Sequence, residues 1–184
     1  MAVWALIGFM GCGKSSIGRL VAALSDIQFI DLDEEIVRRE QRSIPEIFAA
    51  VGEAGFRAIE RQTLSELLAN PLPTDLLISL GGGTLTDAES REMVRKNCKC
   101  IYLRASVETL AANLREDGAA AGRPMLAGAN PDAQADAPDS LESRITSMLA
   151  IRGPIYEKAA DIILDIDGLD YSDVARQILN SFSL

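Results

Sequence analysis

The segment at residues 8–15 combines glycines, a lysine and a serine at the spacing of a phosphate-binding loop. Its sequence, GFMGCGKS, has the form G-x-x-x-x-G-K-[ST] and lies between an apolar run and a stretch with helical periodicity. Glycines allow backbone N–H groups to turn toward phosphate oxygens, and the start of a helix adds a positive dipole end. Lys14 could reach the β- and γ-phosphates of a nucleoside triphosphate, and the Ser15 hydroxyl could bind Mg²⁺. The motif predicts a nucleoside triphosphate site but not the group that receives the phosphoryl.

Two carboxylates, Asp31 and Asp33, lie at the C-terminal end of the second apolar run of the chain. Open α/β sheets bind ligands at the carboxyl ends of their strands, so this is a position for ligand-binding side chains. If the strand continues to residue 33, both carboxylates project to one side, where one suits a metal and the other a substrate. The alternative is that they cap the following helix, and the spacing alone leaves both interpretations open.

A third set of candidate groups is one arginine and a run of glycines. Arg57 lies on a predicted helix, four residues after Glu53 and three before Glu60. These spacings place the side chains on one helix face, so an intrahelical ion pair is the simplest interpretation and anion binding is the alternative. Three consecutive glycines at residues 81–83 follow the third apolar run. Because glycines lose much backbone entropy on folding, three together predict that the backbone closely approaches a ligand.

Short apolar runs that alternate with helical periodicity must position these groups. The apolar runs predict five strands, at residues 3–7, 29–32, 76–80, 100–103 and 162–166. Periodicity predicts helices at residues 14–24, 43–51, 56–68, 86–96, 107–114, 139–150 and 174–182. Three of them begin at capping-box patterns: Ser43 with Glu46, Thr86 with Glu89, and Asp139 with Glu142. Apolar strands separated by helices indicate an α/β fold in three layers, a parallel five-stranded sheet with helices on both faces.

A single domain over residues 1–184 is expected, because no domain linker interrupts this order. Residues 117–139 are the exception, since Gly, Ala, Pro, Asn and Asp dominate there and periodicity is lost. A segment of this length without periodicity is usually a lid or a disordered linker. Because regular elements of one sheet flank it, we expect a mobile lid.

The composition excludes several function classes. The chain has 18 Lys and Arg against 27 Asp and Glu, a net charge of -9, which argues against a protein that coats nucleic acid. The absence of histidine excludes Ser-His-Asp and Cys-His catalysis and His-bound metals. Three cysteines are too few for a disulfide framework, and no apolar run approaches the roughly 20 residues of a membrane span. We therefore expect a monomeric, cytoplasmic protein that binds neither nucleic acid nor membranes.

Together, the motifs of this chain resemble those of the shikimate kinase family. The resemblance rests on six motifs in that family's order and spacing across nearly the whole chain. They are the loop at residues 8–15, Asp31-x-Asp33, Gly52-Glu53-x-x-Phe56-Arg57-x-x-Glu60, Ser79-Leu80-Gly81-Gly82-Gly83, Arg123-Pro124 and Arg152-Gly153-Pro154-Ile155-Tyr156. The resemblance implies a P-loop fold similar to nucleoside monophosphate (NMP) kinases, and transfer of the ATP γ-phosphoryl group to the 3-hydroxyl of shikimate. The segment after Arg123-Pro124 is longer than the family usually carries, which concerns lid closure and not the chemistry.

For the acceptor, the resemblance implies that Asp33 contacts the shikimate hydroxyls and that Arg57 and Arg152 bind the shikimate carboxylate. The residues that would pack against shikimate are Gly81, Gly82 and Gly83. An acidic chain without histidine must bind a small carboxylate with a few placed cations, and the planar arginine fork offers two parallel hydrogen bonds.

For the nucleotide, the resemblance implies that Asp31 joins Ser15 in the Mg²⁺ shell. Arg123 would be the lid arginine that reaches the phosphates, and it would complete the catalytic set with Lys14 and Asp33. Arg115 is the nearest candidate for the arginine that lies over adenine. The residues expected to contact ATP are Gly11, Cys12, Gly13, Lys14, Ser15, Ser16, Arg115 and Arg123.

Three alternative functions compete with this one. A kinase for another small polyol acid, such as gluconate, would share the fold and the phosphate loop, but the Gly-Glu-x-x-Phe-Arg motif and the triple glycine favour shikimate. An NMP kinase would need an Asp-Gly-x-Pro-Arg segment that the chain lacks. A nucleotide-binding regulator without turnover would have no need of an acceptor site, so the presence of Asp33, Arg57, Arg123 and Arg152 together weighs against it.

Overall fold

A parallel sheet forms the centre of the molecule. The structure, a computed structural model, describes residues 2–70, 74–116 and 140–182. Five strands of these ranges form one sheet: β1 Val3–Ile7, β2 Gln28–Asp31, β3 Leu76–Ser79, β4 Lys99–Arg104 and β5 Ile162–Asp165. Every neighbouring pair is parallel, and the order across the sheet is β2-β3-β1-β4-β5. The predicted five-stranded parallel sheet is confirmed.

Helices separate the strands, as an all-parallel sheet requires. Within the described ranges they are α1 Lys14–Ala23, α2 Leu32–Glu40, α3 Ile44–Ala69, α4 Ala88–Asn97, α5 Val107–Glu116, α6 Leu141–Ala159 and α7 Tyr171–Ser181, with a 3₁₀ turn at Thr84–Thr86. The three central strands supply core residues without exposed surface: Ala5, Leu6, Leu77, Ile78, Ile101 and Leu103. The three-layer α/β class is thereby confirmed. No helix in the described part of the chain has the length and apolar character needed to cross a membrane.

The strand order brings three loops to one edge of the sheet. Strand β1 lies between β3 and β4, and β3 lies between β1 and β2. Because all strands are parallel, the loop after β1, the turn after β2 and the glycines after β3 meet at the carboxyl edge. The register places Ser79 beside both Leu6 and Asp31 at the ends of these strands. The sheet therefore assembles the candidate groups that the sequence scatters over 80 residues.

The chain around the two aspartates differs from the prediction. Strand β2 ends at Asp31, and helix α2, which the sequence analysis did not predict, starts at Leu32. Oδ1 of Asp31 accepts hydrogen bonds from the backbone N–H of Asp33 at 3.0 Å and of Glu34 at 3.2 Å. Asp31 is thus the N-cap of α2, and Asp33 lies in its first turn. The expectation that both carboxylates project from one strand is wrong, and the capping alternative is confirmed for Asp31.

The predicted helices at residues 43–51 and 56–68 are present as two helical segments that meet at a kink, and both are included here in one element. Helix α3 runs from Ile44 to Ala69, and Gly52 inside it has a φ of 69°, which breaks the helical path without ending it. Glycine adopts this left-handed conformation without a steric cost. The capping box of Ser43 and Glu46 is confirmed, with the Glu46 carboxylate accepting from the Ser43 N–H at 2.7 Å.

Two predicted capping boxes are wrong. Helix α4 is capped by Asp87, whose Oδ1 accepts from the Ser90 N–H at 2.8 Å, because Thr86 belongs to the preceding 3₁₀ turn. Helix α6 is capped by Ser140, whose hydroxyl accepts from the Ser143 N–H at 3.0 Å. Residue 139, the predicted cap, lies outside the described residues.

Helices α6 and α7 are also longer than predicted. Helix α6 continues past Pro154 to Ala159 instead of ending near residue 150. A proline removes one backbone donor, and burial of the large Tyr156 side chain favours continuation of the helix beyond it. Helix α7 begins at Tyr171, three residues before the predicted start.

Candidate active site

The phosphate loop turns through glycines with positive φ. The φ angles of Gly8, Gly11 and Gly13 are 145°, 83° and 81°, a region that side chains with a Cβ rarely adopt. Lys14 opens α1, is only 8% exposed, and its Nζ donates to the carbonyl oxygens of Gly8 at 3.0 Å and Phe9 at 2.9 Å. The loop and its lysine are therefore held as one compact unit at the end of β1.

Two helices that lack any sequence motif support this loop. A Cβ at Gly11 would lie 2.8 Å from the Leu114 side chain of α5, and a Cβ at Gly13 would lie 2.7 Å from the Tyr171 ring of α7. The Asn113 side chain of α5 also donates to the Gly11 carbonyl. Sequence reasoning missed these three residues because each touches the loop from about 100 or more positions away and no local spacing reveals the contact.

Ser15 and Asp31 meet beside the loop. The Ser15 hydroxyl donates to Oδ2 of Asp31 at 2.5 Å, while Oδ1 of Asp31 caps α2. No group of three or more His, Cys, Asp or Glu side chains that could hold a metal exists among the described residues. Mg²⁺ binds hard oxygen ligands and usually takes one or two carboxylates, with substrate phosphates and waters completing the shell. This pair of oxygen groups fits that kind of site.

Two adjacent cavities lie at the carboxyl edge of the sheet. The first, about 140 Å³, is lined by the phosphate loop and by Asp31 and Ser79. The second, about 80 Å³, is lined by Arg57, Arg152 and apolar residues of α3. The residues that line both are Met10, Asp33, Gly81 and Gly82. Asp33 is thus the one acidic side chain at the boundary of the two cavities within the described chain.

Arg57 reaches the second cavity from α3. Its Nη1 pairs with Oε2 of Glu60 at 2.6 Å, and its Nη2 lies 3.6 Å from Oε1 of Glu53. The intrahelical ion pair is therefore present, and Glu60, itself buried, also accepts from the Thr84 hydroxyl at 2.6 Å. However, the Arg57 Nε is buried and has no hydrogen-bond partner among the described residues. An unpaired buried donor costs about 1–3 kcal/mol, so an anionic ligand that accepted from it would be favoured.

The three glycines each contact a different part of the site. A Cβ at Gly81 would lie 2.9 Å from Oε1 of Glu60 and 3.0 Å from Oδ1 of Asp33. A Cβ at Gly82 would lie 3.1 Å from the Met10 backbone nitrogen, and one at Gly83 would lie 2.1 Å from Nη2 of Arg57. The close approach predicted from the triple glycine is therefore made to protein groups that line the cavities.

Helix α6 holds this glycine segment from the other side. Nη1 of Arg152 donates to the Gly82 carbonyl oxygen at 3.3 Å, and the Tyr156 hydroxyl donates to the same oxygen. Burial raises the pKa of Tyr156, so its hydroxyl is a neutral donor near neutral pH. The buried Arg152 guanidinium also lies 5.9 Å from the centre of the Phe9 ring, beside the phosphate loop.

One predicted nucleotide contact, Arg115, lines neither cavity, and the other falls on residues that the structure does not describe. Arg115, near the end of α5, pairs with Oε1 of Glu142 on α6 at 2.7 Å and lines neither cavity. Arg123 and the expected lid at residues 117–139 lie outside the described residues. Their roles stay predictions.

The chain is similar to proteins of one family over almost its whole length. Residues 10–183 match the family model described as SKI: Shikimate kinase. The shikimate kinase of Chloroherpeton thalassium is 40% identical over 179 residues, which cover 94% of this chain and 90% of that protein. That of Stenotrophomonas maltophilia is 36% identical over 174 residues, which cover 95% of this chain and 88% of that protein.

Solved structures show the same likeness. The shikimate kinase from Acinetobacter baumannii, in complex with shikimate, matches with a TM-score of 0.85 and 32% identity over 100% of this chain and 93% of that chain. A gluconokinase from Sinorhizobium meliloti matches with a TM-score of 0.62 over 99% of this chain and 91% of that chain, but with only 18% identity. The second likeness shows a shared fold alone.

Proposed function

The chain belongs to the shikimate kinase family, and from this membership we propose how its residues divide the work of the reaction. It is an ATP-dependent kinase that transfers the γ-phosphoryl group to the 3-hydroxyl of shikimate. The observation that carries the division is the position of Asp33, which lines both cavities. The phosphate-loop cavity receives the triphosphate, and the second cavity receives shikimate.

Asp33 is the proposed proton acceptor. The shikimate 3-hydroxyl oxygen forms a bond to the γ-phosphorus while the bond to the β-phosphate oxygen breaks, so that ADP leaves and the hydroxyl proton passes to Asp33. A side chain at the boundary of the two cavities can contact the acceptor hydroxyl and remain near the transferring group. Its place in the first turn of α2 fixes its backbone, which favours a constant approach geometry.

Lys14 and the loop are proposed to neutralise the charge of the triphosphate. Backbone N–H groups of Gly11, Gly13 and the first turn of α1 would bind the phosphate oxygens, with contacts from Ser16 and the loop backbone at Cys12. Lys14 is buried and tethered at 2.9–3.0 Å to two loop carbonyls, so its charge is already directed into the loop. Phosphoryl transfer depends mainly on such positioning and charge stabilisation.

Mg²⁺ is the proposed metal. When bound, it would neutralise part of the negative charge of the triphosphate. The Ser15 hydroxyl would be a direct ligand, and Asp31, which accepts from that hydroxyl, would orient it or bind through water. Because one oxygen of Asp31 is used in the α2 cap, the other is the one available to the metal site.

Arg57 and Arg152 are proposed to bind the shikimate carboxylate. Both line the second cavity, and the buried Nε of Arg57 is a donor without a partner in the described chain. Arg152 uses Nη1 for the Gly82 carbonyl, which fixes the guanidinium while leaving other N–H donors for a ligand. Gly81, Gly82 and Gly83 line the same cavity and are proposed to pack against the substrate ring.

Several features rest on the family resemblance alone. We propose Arg123 as the lid arginine and Arg115 as the nearest candidate for the arginine that lies over adenine, and both assignments stay predictions. A monomeric state, a cytoplasmic location and the absence of nucleic-acid partners likewise stay predictions.

The proposed roles of Asp31 and Asp33 are tested by comparing a variant of each aspartate with the wild-type enzyme. ADP release is first measured with shikimate, quinate, gluconate or AMP as acceptor, with EDTA and with Mg²⁺ added back. We expect Mg²⁺-dependent turnover with shikimate. Asp33→Asn should lower kcat by about 10²- to 10⁴-fold, the range for loss of a general base, while ADP affinity is retained. Asp31→Asn should instead raise the Mg²⁺ concentration needed for turnover, because it removes a carboxylate charge from the proposed metal site. The helix itself should remain capped, since Asn caps a helix as well as Asp does.

Two outcomes would contradict these assignments. Faster turnover with gluconate or AMP than with shikimate would overturn the substrate. An identical Mg²⁺ dependence in the two aspartate variants would overturn the separation of a metal-directed and a substrate-directed carboxylate.

A further inference from the structure

Helix α5 contacts Gly11 of the phosphate loop with three residues of one face, two through their side chains and Leu110 through its backbone carbonyl. Leu110, Asn113 and Leu114 are spaced three and four residues apart, so they lie together on the helix surface. A Cβ at Gly11 would lie 2.8 Å from Cγ of Leu114 and 3.3 Å from the Leu110 carbonyl oxygen. Gly11 is therefore seated against α5 with no room for a side chain.

Asn113 adds a hydrogen bond to this packing contact between Gly11 and α5. Its Nδ2 donates to the Gly11 carbonyl oxygen at 2.8 Å, and the two residues are 102 positions apart in the chain. No backbone N–H of the described residues is bonded to that oxygen. Gly11 lines the phosphate cavity whereas Asn113 does not, so the hydrogen bond draws the carbonyl toward the helix from behind the loop.

The direction of this carbonyl matters because a phosphate loop binds anions with N–H groups. A carbonyl oxygen that faced the cavity would repel a phosphate, and rotation of one peptide plane would also turn the neighbouring N–H away. The bond from Asn113 opposes that rotation. An aspartate at this position could not replace it, since an ionised carboxylate only accepts hydrogen bonds.

We infer that Asn113 is a positioning residue for nucleotide binding, which acts through the Gly11 carbonyl and touches neither substrate. This inference rests on the proposed function in one respect, that the nucleotide phosphates bind in the loop. It predicts a selective effect: loss of the Asn113 amide weakens ADP and ATP binding and leaves shikimate binding unchanged.

The test is calorimetric titration of ADP and of shikimate into three purified variants and the wild type. Asn113→Leu removes the donor at similar size, and the Kd for ADP should rise about 3- to 10-fold, as expected for one neutral hydrogen bond. Asn113→Asp should raise it further. Asn97→Leu is the matched control, because its amide bonds at 2.8 Å to a carbonyl of its own helix, Met93 of α4. The control should bind ADP as the wild type does.

The outcomes separate this inference from the proposed function. Wild-type enzyme that fails to bind ADP would overturn the proposed nucleotide site itself. Wild-type binding together with unchanged ADP affinity in Asn113→Leu would overturn only the inference, as would an equal loss of ADP and shikimate affinity with a lowered Tm.

A measurement without substitution covers the case of a variant that does not fold. The side-chain amide resonance of Asn113 in ¹⁵N-labelled wild-type enzyme should shift when ADP is added and stay in place when shikimate is added. An ADP-saturated enzyme in which this resonance does not move would contradict the inference.

Discussion

The phosphate loop and the cavity proposed for shikimate lie at the same edge of the sheet, but they offer different chemical groups to their ligands. In the loop, glycines with positive φ and backbone N–H groups form the surface, and Lys14 is the single buried cation of the described loop. In the cavity proposed for shikimate, the charged groups are the side chains of Arg57 and Arg152, which the buried Glu60 and the Gly82 carbonyl hold in place and which we propose as the recognition groups. The loop is thus a backbone site, and the cavity is a side-chain site.

This difference determines how each region should respond to side-chain substitutions. Backbone N–H groups survive most side-chain changes, so the loop should respond strongly to loss of its lysine and little to changes in the cavity. In the cavity Arg57 and the buried Glu60 form an ion pair, so removal of the arginine leaves the glutamate in an unfavourable buried state. A substitution of Asp33 should affect both regions, since this side chain lines both cavities.

The largest expected effect is on the loop side. Lys14→Ala should lower kcat by at least about 10²- to 10³-fold, the loss typical of one transition-state donor. Titration should show unchanged shikimate affinity, because the lysine contacts loop carbonyls and not the cavity. Lys96→Ala is the control, since Lys96 is an exposed partner of Glu92 at 3.3 Å and should have no effect. Weakened shikimate binding in Lys14→Ala would show that the two regions are not separate.

The next effect is on the cavity side. Arg57→Ala should raise the Kd for shikimate by about 10- to 150-fold, the equivalent of about 1.5–3 kcal/mol for a charge-assisted bond. Arg57→Lys should recover only part, because an ammonium group lacks the planar fork. Arg38→Ala removes an arginine with the same three-residue spacing to a glutamate, at 2.7 Å on the surface, and should change nothing. Should shikimate affinity survive Arg57→Ala, the arginine is only the ion-pair partner of Glu60.

The smallest expected effect is that of a substitution in the glycine segment at residues 81–83, which lies between the two regions. In Gly83→Ala the new Cβ would lie 2.1 Å from Nη2 of Arg57, so the guanidinium must move. Overpacking of this kind costs about 1–3 kcal/mol, but the flexible end of arginine can absorb part of it. We expect a rise of about 3- to 10-fold in the Kd for shikimate with unchanged ADP affinity. Gly153→Ala is the control, because nothing lies within 4 Å of its Cβ position. Equal effects of the two substitutions would contradict the steric explanation.

The sequence predicted the parts of the molecule that short patterns encode. The phosphate loop, its helix and the parallel sheet follow from contiguous residues, and Arg57 and Arg152 reach one cavity as the resemblance implied. Helix α2 was missed because Asp31 reads equally well as the end of a strand and as a helix cap. The capping geometry, with two N–H groups bonded to one carboxylate oxygen, decides between them.

Contacts between distant segments could not be predicted. Asn113 and Tyr171 carry no motif, and their contacts with loop glycines exist only because α5 and α7 lie against the phosphate loop in the folded chain. The Gly82 carbonyl is a similar case, since a backbone atom has no sequence signature and its partner Tyr156 lies 74 residues away. Tertiary packing, and not local propensity, places these groups.

The cap at the start of α2 has a consequence for thermal motion. Asp31 carries the oxygen proposed for the metal side of the reaction, and Asp33, two residues later, carries the oxygen proposed for the acceptor side. The hydrogen bond from the Asp33 N–H to Asp31 at 3.0 Å joins them in one short rigid unit. We therefore expect motion of α2 to shift the chain at both aspartates together. The metal-side and acceptor-side carboxylates should then keep their spacing better than two groups on separate segments would.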